Sequence, residues 1–280
     1  MGSMIEAINK RVSIRNYTDQ LIENEKRDEI IRLLNSNKDG PFGNRVRFEL
    51  IDLSEMEKKE MKTLGTYGFI SGASFYIACA LKESIGGMED AGYCFEKIIL
   101  GATNLGLGTC WMGGTFKRAS FAKKINVSKN EIVPAVSPIG YAHEKRTIKD
   151  KAIRYFAKSA KRKSWEELFF EEDTDTPLSK SNAGKYETPL ECVRLGPSAT
   201  NFQPWRIIRE MDKDIYHFYL KRTKGYYKAL KIADLQSIDM GIAMCHFELA
   251  AQELRLDGKW NDQKPTINVG KAEYIISWVP

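Results

Sequence analysis

Apolar residues recur at helical spacing in four stretches of the chain. This spacing predicts a short helix over residues 4–10 and an amphipathic helix over Glu23–Asn35. Two longer and mostly apolar stretches, Asp90–Leu107 and Asp239–Leu256, predict long helices. Helices with so few polar positions need most of their surface covered, so we expect these two to pack together at a central interface.

Three stretches of the first half have the patterns of β-strands. Polar and apolar residues alternate over Val46–Leu53, whereas Ser74–Leu81 is almost continuously apolar and predicts a buried strand. A third strand is predicted over Ile132–Tyr141. Together with the helices, these strands predict an α+β fold in which small, mixed and mainly antiparallel sheets are flanked by helices.

The second half of the chain repeats the plan of the first. The tripeptide Asp90-x-Gly92 is matched by Asp239-x-Gly241, a shift of 149 residues. Further matches follow in the same order: Leu100, Ala102, Leu105, Leu107 and Trp111 fall on Leu249, Ala251, Leu254, Leu256 and Trp260, Gly40-Pro41 falls on Gly196-Pro197, and Arg11-Val12-Ser13 falls on Arg162-Lys163-Ser164.

Two similar but independent helices would explain the leucine matches, because apolar periodicity alone places leucine on leucine. They would not explain the Asp-x-Gly, Trp and Gly-Pro matches. We therefore predict an internal duplication, with a first half over residues 4–160 and a second half over residues 161–280.

Length and composition are those of a soluble globular protein. The 280 residues exceed the usual size of a single core, and 42% of them are hydrophobic. No apolar run reaches the ~20 residues of a membrane span and no signal-peptide core begins the chain, so we expect a cytoplasmic protein without a membrane partner. The five cysteines are odd in number and include no Cys-x-x-Cys pair, which favours reduced core thiols.

The net charge of +6 comes largely from the segment over residues 145–163. Such a basic segment could bind nucleic acid or an acidic membrane surface. It could equally be the solvated face of a helix, because apolar residues recur within it at helical spacing. The segment lacks interleaved aromatic residues and any recognised binding motif, so we favour the helix and predict no nucleic-acid partner.

The three histidines are isolated from one another, and none is part of a His-x-x-x-His pair. We therefore predict no metal site. The chain also contains neither a Gly-x-Ser-x-Gly nucleophile elbow nor a Gly-x-x-x-x-Gly-Lys phosphate loop, which excludes the commonest hydrolase and nucleotide-binding signatures.

The most distinctive stretch is the turn over Gly196–Trp205. Pro197 and Pro204 restrict its backbone, while Ser198, Asn201 and Gln203 can donate or accept hydrogen bonds. On these properties alone the stretch is either a capped turn before a strand or an edge that recognises a flat, heteroatom-rich ring.

A second motif, Arg11-x-Ser13-x-Arg15, lies about 185 residues earlier. Together with Pro197-Ser198-x-x-Asn201-x-Gln203-Pro204-Trp205, it resembles the nitroreductase family of FMN-dependent oxidoreductases. The resemblance implies a nitroreductase-like fold. In that family the flavin sites lie across a homodimer interface, so a chain with one motif in each half resembles its fused, pseudo-dimeric subgroup, and we expect a monomer.

The two halves have diverged in a complementary way. In the first half the turn has become Gly40–Phe48, which lacks the serine, the glutamine, the second proline and the tryptophan. In the second half Glu166 replaces the counterpart of Arg15, and a carboxylate would repel a phosphate or an anionic flavin. One complete site therefore combines the basic motif of the first half with the turn of the second, which predicts one FMN per chain.

Arginine is the best donor to the nearly dianionic phosphate of FMN, so we expect Arg11 to bind the phosphate with Ser13 beside it. The resemblance implies that Arg162, and with it Lys163, also reaches the phosphate. Arg15 would lie near the pyrimidine side of the ring, where a cation stabilises the reduced flavin, unless it forms a surface salt bridge.

The remaining predicted ligands follow from the resemblance. Pro197, Ser198 and Ala199 would contact the ring edge, and Asn201 and Gln203 would hold the turn or the ribityl chain. The segment Met112, Gly113 and Gly114 would lie beside N5 and O4 of the flavin, where glycine lets the backbone approach closely.

The implied activity is that of an FMN-dependent oxidoreductase. NADH or NADPH would deliver a hydride to the flavin, which would reduce a small acceptor such as a nitroaromatic or a quinone. No side chain is predicted to act as an acid or base. Two alternatives stay open at this point: a flavin-binding module for redox sensing or flavin handling without turnover, and another reductive activity on the same scaffold, such as dehalogenation or enone reduction.

Overall fold

The structure is a computed structural model that describes residues 2–56, 68–143, 161–211, 213–225, 233–267 and 269–280. Most of the basic segment, over residues 145–160, lies outside the described residues. In the part of the chain that is described, none of the helices combines the length and apolar character needed to cross a membrane. All five cysteines are buried and free.

The described elements of the first half lie in the order α1 (Met4–Lys10), α2 (Asn24–Ser36), β1 (Arg47–Asp52), β2 (Phe75–Lys82), α3 (Gly87–Asn104), β3 (Gly108–Thr109), α4 (Arg118–Lys124), β4 (Glu131–Ile132) and β5 (Val136–Gly140). Those of the second half are β6 (Phe169–Glu171), α5 (Lys180–Ala183), α6 (Glu187–Leu195), β7 (Trp205–Arg209), β8 (Tyr216–Leu220), α7 (Leu235–Glu253), β9 (Lys259–Asn261) and β10 (Glu273–Val279).

Each half contains its own sheet, and the two sheets have equivalent topology. The order in the first sheet is β1-β2-β5-β3, with β4 also paired to β2, and all of these pairs are antiparallel. The order β7-β8-β10-β9 in the second sheet is likewise antiparallel, and β6 adds a parallel strand at its edge. In both halves a long helix follows the second strand of this order. The fold therefore has two similar halves, each with a mixed or antiparallel sheet and flanking helices, as predicted.

The two long helices, α3 and α7, cross at two glycines. A Cβ atom at Gly92 would lie 2.1 Å from the carbonyl oxygen of Ile238, and one at Gly241 would lie 1.9 Å from that of Glu89. The backbones thus approach more closely than any other residue would allow. The predicted central packing is confirmed, and it occurs at the repeated Asp-x-Gly tripeptide.

One hydrophobic core extends through both halves. It includes Phe48 and Phe95 from the first half together with Trp205 and Phe247 from the second, all of them buried. The halves therefore share buried apolar contacts, in addition to smaller clusters that lie within each half.

Several predicted boundaries differ from those observed. The strand predicted over Ile132–Tyr141 is divided into β4 and β5, and Pro134, which has no N–H to donate to a ladder, lies between them. The helix predicted to end at Leu256 ends at Glu253, just before Arg255 adopts a left-handed backbone with φ of 57°. The short helix α4 was not predicted.

Candidate functional site

A cavity of about 750 Å³ lies between the two halves. Its volume is within the ~300–1,000 Å³ typical of small-molecule and cofactor sites. Of the predicted site residues, those that line it are Arg11, Ser13, Arg15, Met112, Gly113, Gly114, Arg162, Pro197, Ser198, Ala199 and Asn201. The structure therefore brings the basic motif of the first half and the turn of the second half to the same cavity.

Two predicted residues, Lys163 and Gln203, do not line the cavity. Gln203 is completely buried: its Oε1 accepts a hydrogen bond from the backbone N–H of Lys163 at 2.6 Å, and its Nε2 donates to the carbonyl of Arg194 at 2.9 Å. Gln203 thus holds the turn, which was one of its two expected roles. The ammonium of Lys163 is half-buried, and burial together with the charge of Arg206 lowers its pKa to about 8.

The basic motif is extended and fixed beside β3. Arg11 ends α1 by donating its backbone N–H to the carbonyl of Ala7, and Ile14 donates to the carbonyl of Thr109 at 2.8 Å. An extended chain places alternate side chains on the same side, so Arg11, Ser13 and Arg15 share one side. The three polar residues of the motif all reach the cavity, and Val12 lines it as well.

Arg11 is a buried cation whose hydrogen-bonding capacity is not used. Arg11 is only 9% exposed. Its Nε has no hydrogen-bond partner among the described residues, and its guanidinium donates no hydrogen bond to any of them. The nearest acidic atom is Oε1 of Glu96 at 3.9 Å from Nε, which is an ion-pair distance but too long for a hydrogen bond. Because a buried charge is costly without hydrogen-bonded partners, this site fits an anionic group in the cavity.

The turn is held from both sides in a strained conformation. Thr200, Asn201 and Gln203 all have positive φ, at 52°, 57° and 46°. Oδ1 of Asn201 accepts a hydrogen bond of 2.9 Å from Arg162, whose guanidinium also donates to the carbonyl of Leu195 at 3.1 Å. Arg162 therefore lines the cavity while it fixes the turn, and its role at a phosphate stays a prediction.

An aspartate beneath the turn was not predicted as a site residue. Asp239 lines the cavity, and its Oδ1 accepts a hydrogen bond of 2.9 Å from the backbone N–H of Ala199. Its Oδ2 is buried and has no hydrogen-bond partner among the described residues. Burial raises the pKa of this carboxyl well above its usual value, which favours the neutral acid. The sequence contains a signal for this role, because Asp239 is an acid in the first turns of a mostly apolar helix, but our sequence analysis used Asp239 only to align the repeat.

The matched aspartate of the first half, Asp90, accepts hydrogen bonds at both of its carboxyl oxygens. Asp90 accepts hydrogen bonds from the backbone N–H groups of Phe42 and Asn44, both at 2.9 Å, and from the side chain of Asn44 at 3.0 Å. A Cβ atom at Gly40 would lie 2.2 Å from the Asp90 carboxyl carbon. The first-half turn thus closes directly over its aspartate.

The segment that was predicted to face N5 is supported from behind. Met112 exchanges two backbone hydrogen bonds of 3.0 Å with Val136, and Arg118 donates to the carbonyl of Gly113. A Cβ atom at Gly113 would lie 2.5 Å from Cδ2 of Leu235. Packing against Leu235 is therefore a reason for glycine here that the sequence did not reveal.

Much of the remaining cavity wall is apolar and was missed by sequence analysis. It is formed by Phe69, Ile70, Trp111, Leu235, Ile238 and Ile242. Single apolar residues carry no local signal, because each has the pattern of an ordinary core residue.

Among the described residues, no group of three or more His, Cys, Asp or Glu side chains is arranged to hold a metal ion.

Comparison with known proteins places the chain in a family. Residues 3–251 match the family model described as "Putative TM nitroreductase". A solved structure from Thermotoga maritima, described as a "putative nitroreductase", is 18% identical, with a TM-score of 0.63 over 99% of this chain and 94% of that one. At this identity the likeness concerns the fold, and it extends through both halves.

Smaller relatives match about half of the chain. An FMN-dependent nitroreductase from Clostridium difficile is 22% identical over 52% of this chain and 93% of its own, with a TM-score of 0.40. A nitroreductase family protein from Clostridium novyi is 20% identical over 51% of this chain and 87% of its own, with a TM-score of 0.42. A search of the curated proteins found no match. Because the family model spans most of its length, the chain belongs to the nitroreductase family.

Proposed function

We propose that the protein is an FMN-dependent oxidoreductase that takes a hydride from NADH or NADPH and reduces a small acceptor such as a nitroaromatic or a quinone. The observation that carries this proposal is Arg11, a buried cation whose guanidinium donates no hydrogen bond to a described residue and faces a cavity of about 750 Å³. Membership of the nitroreductase family supports the same class of activity.

In this proposal the first half binds the phosphate. Arg11 supplies charge-assisted hydrogen bonds, and Ser13 adds a hydroxyl donor on the same side of the extended segment. Arg162 contributes positive charge from the other side of the cavity while it holds the turn. A phosphate at this position would give the buried guanidinium the partner that the protein itself does not provide.

The second half binds the ring edge. Pro197, Ser198 and Ala199 line the cavity on a turn that is fixed by Asp239 and Gln203. Arg15 lies on the cavity wall, where a fixed cation would favour negative charge on the pyrimidine side of the ring. When bound, the flavin supplies the redox chemistry by accepting a hydride and passing two electrons on. The residues of the protein bind it, orient it and, through the apolar wall, exclude water.

The two halves are proposed to be products of a duplication, over residues 4–160 and 161–280, that together form a pseudo-dimer. Their equivalent sheet orders and the matched Asp-x-Gly tripeptides at the helix crossing support this origin. In such a chain a single polypeptide supplies both sides of the site, so the active species is expected to be a monomer in the cytoplasm.

The proposal is tested with purified protein that has been loaded with FMN. Anaerobic addition of NADH or NADPH should bleach the visible absorbance of the bound flavin. A panel of nitroaromatics and quinones should then restore it. Bound flavin that neither nicotinamide reduces would contradict the activity while leaving cofactor binding intact.

The Arg11→Ala variant tests the anchoring residue. Loss of charge-assisted hydrogen bonds worth ~1.5–3 kcal/mol should weaken FMN binding by roughly 10- to 150-fold. Arg32→Ala is the matched control, because this arginine lies on an exposed part of α2, away from the cavity, and forms an ion pair with Glu29. Unchanged FMN affinity in Arg11→Ala would remove Arg11 from the phosphate role.

A further inference from the structure

A buried cluster of polar side chains lies behind Arg11, between the two central helices. Glu96 on α3 and His246 on α7 are both completely buried. Oε1 of Glu96 lies 2.9 Å from Nε2 of His246, and its Oε2 accepts a hydrogen bond of 2.6 Å from Nε1 of Trp111. Since Oε1 also lies 3.9 Å from Nε of Arg11, Glu96 contacts two residues of the cavity wall without being part of that wall.

The hydrogen bonds of His246 fix how many protons the pair holds. Its Nδ1 lies 2.8 Å from the carbonyl oxygen of Cys192, and a carbonyl only accepts, so Nδ1 carries a proton. One further proton lies between Nε2 and Oε1 of Glu96, whichever of these two atoms holds it. The pair therefore adds no net charge, and the positive charge of Arg11 is not cancelled for a ligand.

Glu96 approaches Arg11 from the inner side. Oε1 of Glu96 lies 3.9 Å from Nε of Arg11, which is too long for a hydrogen bond. The carboxyl therefore restricts the movement of the guanidinium but leaves its N–H groups available to a ligand. An arginine that is free to rotate loses much side-chain entropy when it binds an anion. Holding it in place beforehand reduces that loss and strengthens binding.

The equivalent positions of the other half lack this arrangement. With the shift of 149 residues, Glu96 corresponds to Cys245 and His246 corresponds to Lys97. Trp260, the counterpart of Trp111, donates instead to Glu248 at 2.7 Å, and this carboxyl also accepts from the hydroxyl of Tyr93. The Glu96–His246 pair thus accompanies only the half-site that retains the Arg-x-Ser-x-Arg motif.

We propose that Glu96, held by His246 from the opposite half, is a positioning residue that orients Arg11 for the phosphate of the flavin. The inference rests on the proposed function, because it assumes that Arg11 binds that phosphate. It adds that the anion-binding end of the site depends on a contact between the halves, and not only on residues that face the ligand.

The test compares FMN with riboflavin, which has the same ring system but no phosphate. Glu96→Asp keeps the carboxyl group but withdraws it from Arg11 by one methylene. Glu248→Asp is the matched control, because it makes the same change to a carboxyl that holds the equivalent tryptophan. Dissociation constants are measured by titrating each flavin with apoprotein and following flavin fluorescence, after circular dichroism has confirmed the fold.

Wild-type protein should bind FMN more tightly than riboflavin. Glu96→Asp should weaken FMN binding about tenfold and change riboflavin binding less than about twofold, whereas Glu248→Asp should alter neither. In the Arg11→Ala background, Glu96→Asp should cause no further change in the ratio of the two affinities, because the residue through which it acts is gone.

The possible failures can be told apart. A folded Glu96→Asp with the wild-type ratio would overturn the inference and leave the proposed function standing, whereas wild-type protein that binds no FMN would overturn the proposed function. Equal wild-type affinity for the two flavins would overturn both the phosphate role of Arg11 and the inference. If Glu96→Asp does not fold, His246→Leu removes the partner that holds Glu96 and should show the same selective loss; an unchanged ratio there would equally overturn the inference.

Discussion

Asp90 and Asp239 occupy matched positions on the two central helices but differ in how their carboxyl oxygens are used. Both oxygens of Asp90 accept N–H groups from the first-half turn, whereas Oδ2 of Asp239 has no hydrogen-bond partner among the described residues. An unpartnered buried carboxylate is costly, and burial raises the pKa of Asp239 well above its usual value. Both aspartates are buried, but among the described residues only Asp90 has hydrogen-bond donors at both of its carboxyl oxygens.

Asp239→Asn should therefore stabilise the protein at neutral pH or leave its stability unchanged. In the unfolded chain this carboxyl ionises above about pH 4, but in the folded protein its pKa is raised, so its contribution favours folding at low pH and is lost as pH rises. Asparagine removes this loss and keeps an oxygen for the N–H of Ala199. The advantage of the variant in urea unfolding should grow from pH 4 to pH 7, and an advantage that shrinks over this range would contradict a buried acid.

The matched substitution Asp90→Asn should have the opposite effect. An amide nitrogen cannot accept, so one of the N–H groups that now bind Asp90 would be left buried without a partner. The expected cost is about 1–3 kcal/mol of unfolding free energy. Equal effects of the two substitutions would mean that the aspartates have the same role.

Among single residues, the sequence predicted those cavity-lining residues that belong to contiguous motifs. Arg11, Ser13 and the turn from Pro197 were predicted because their spacing is distinctive. Phe69 and Ile238 were not, because each is a single apolar residue that reaches the cavity only through the packing of distant elements. Glu96 and His246 were missed for the same reason, since their contact joins two helices.

The two central helices depend on glycine at their crossing. A Cβ atom at Gly92 would lie 2.1 Å from a backbone oxygen of the facing helix, which cannot move without the helix itself. Gly92→Ala should therefore destabilise the protein by about 1–3 kcal/mol or more, as expected for overpacking in a closely packed interior. Chemical unfolding monitored by tryptophan fluorescence measures this change.

Gly101→Ala on the same helix is the control for that substitution. Its new methyl group would meet the flexible end of Leu33, 2.7 Å from Cδ1, rather than a backbone. Alanine also has a better helix propensity than glycine by up to ~1 kcal/mol, which offsets the adjustment. If Gly101→Ala costs as much as Gly92→Ala, the crossing is not the critical contact.

At the level of elements, hydrophobic periodicity predicted the long helices and the buried strand well. It predicted β5 within the strand over Ile132–Tyr141 but started that strand too early, because β5 begins at Val136, after Pro134. The Asp-x-Gly tripeptide was recognised only as a repeated pattern. The structure supplies its reason: the aspartate binds a turn, and the glycine lets the helices cross.

In the whole molecule, two sheets of equivalent order enclose a site that is not equivalent in its two copies. The first-half turn closes over Asp90, and Gly40 there has no room for a side chain. In the second half Glu166, the counterpart of Arg15, is exposed. The strand orders of the two halves are thus equivalent, whereas the residues at their matched turns and basic motifs differ.

This asymmetry predicts that the protein binds one FMN per chain. A second flavin would need a basic motif and an open turn on the mirror side, where the sequence has an acid and the turn is occupied by its own aspartate. Flavin absorbance of the loaded protein, compared with protein concentration from amino-acid analysis, should give a ratio of one, and light scattering should show a monomer. A ratio of two would mean that the mirror side still binds flavin despite the divergence of the two halves.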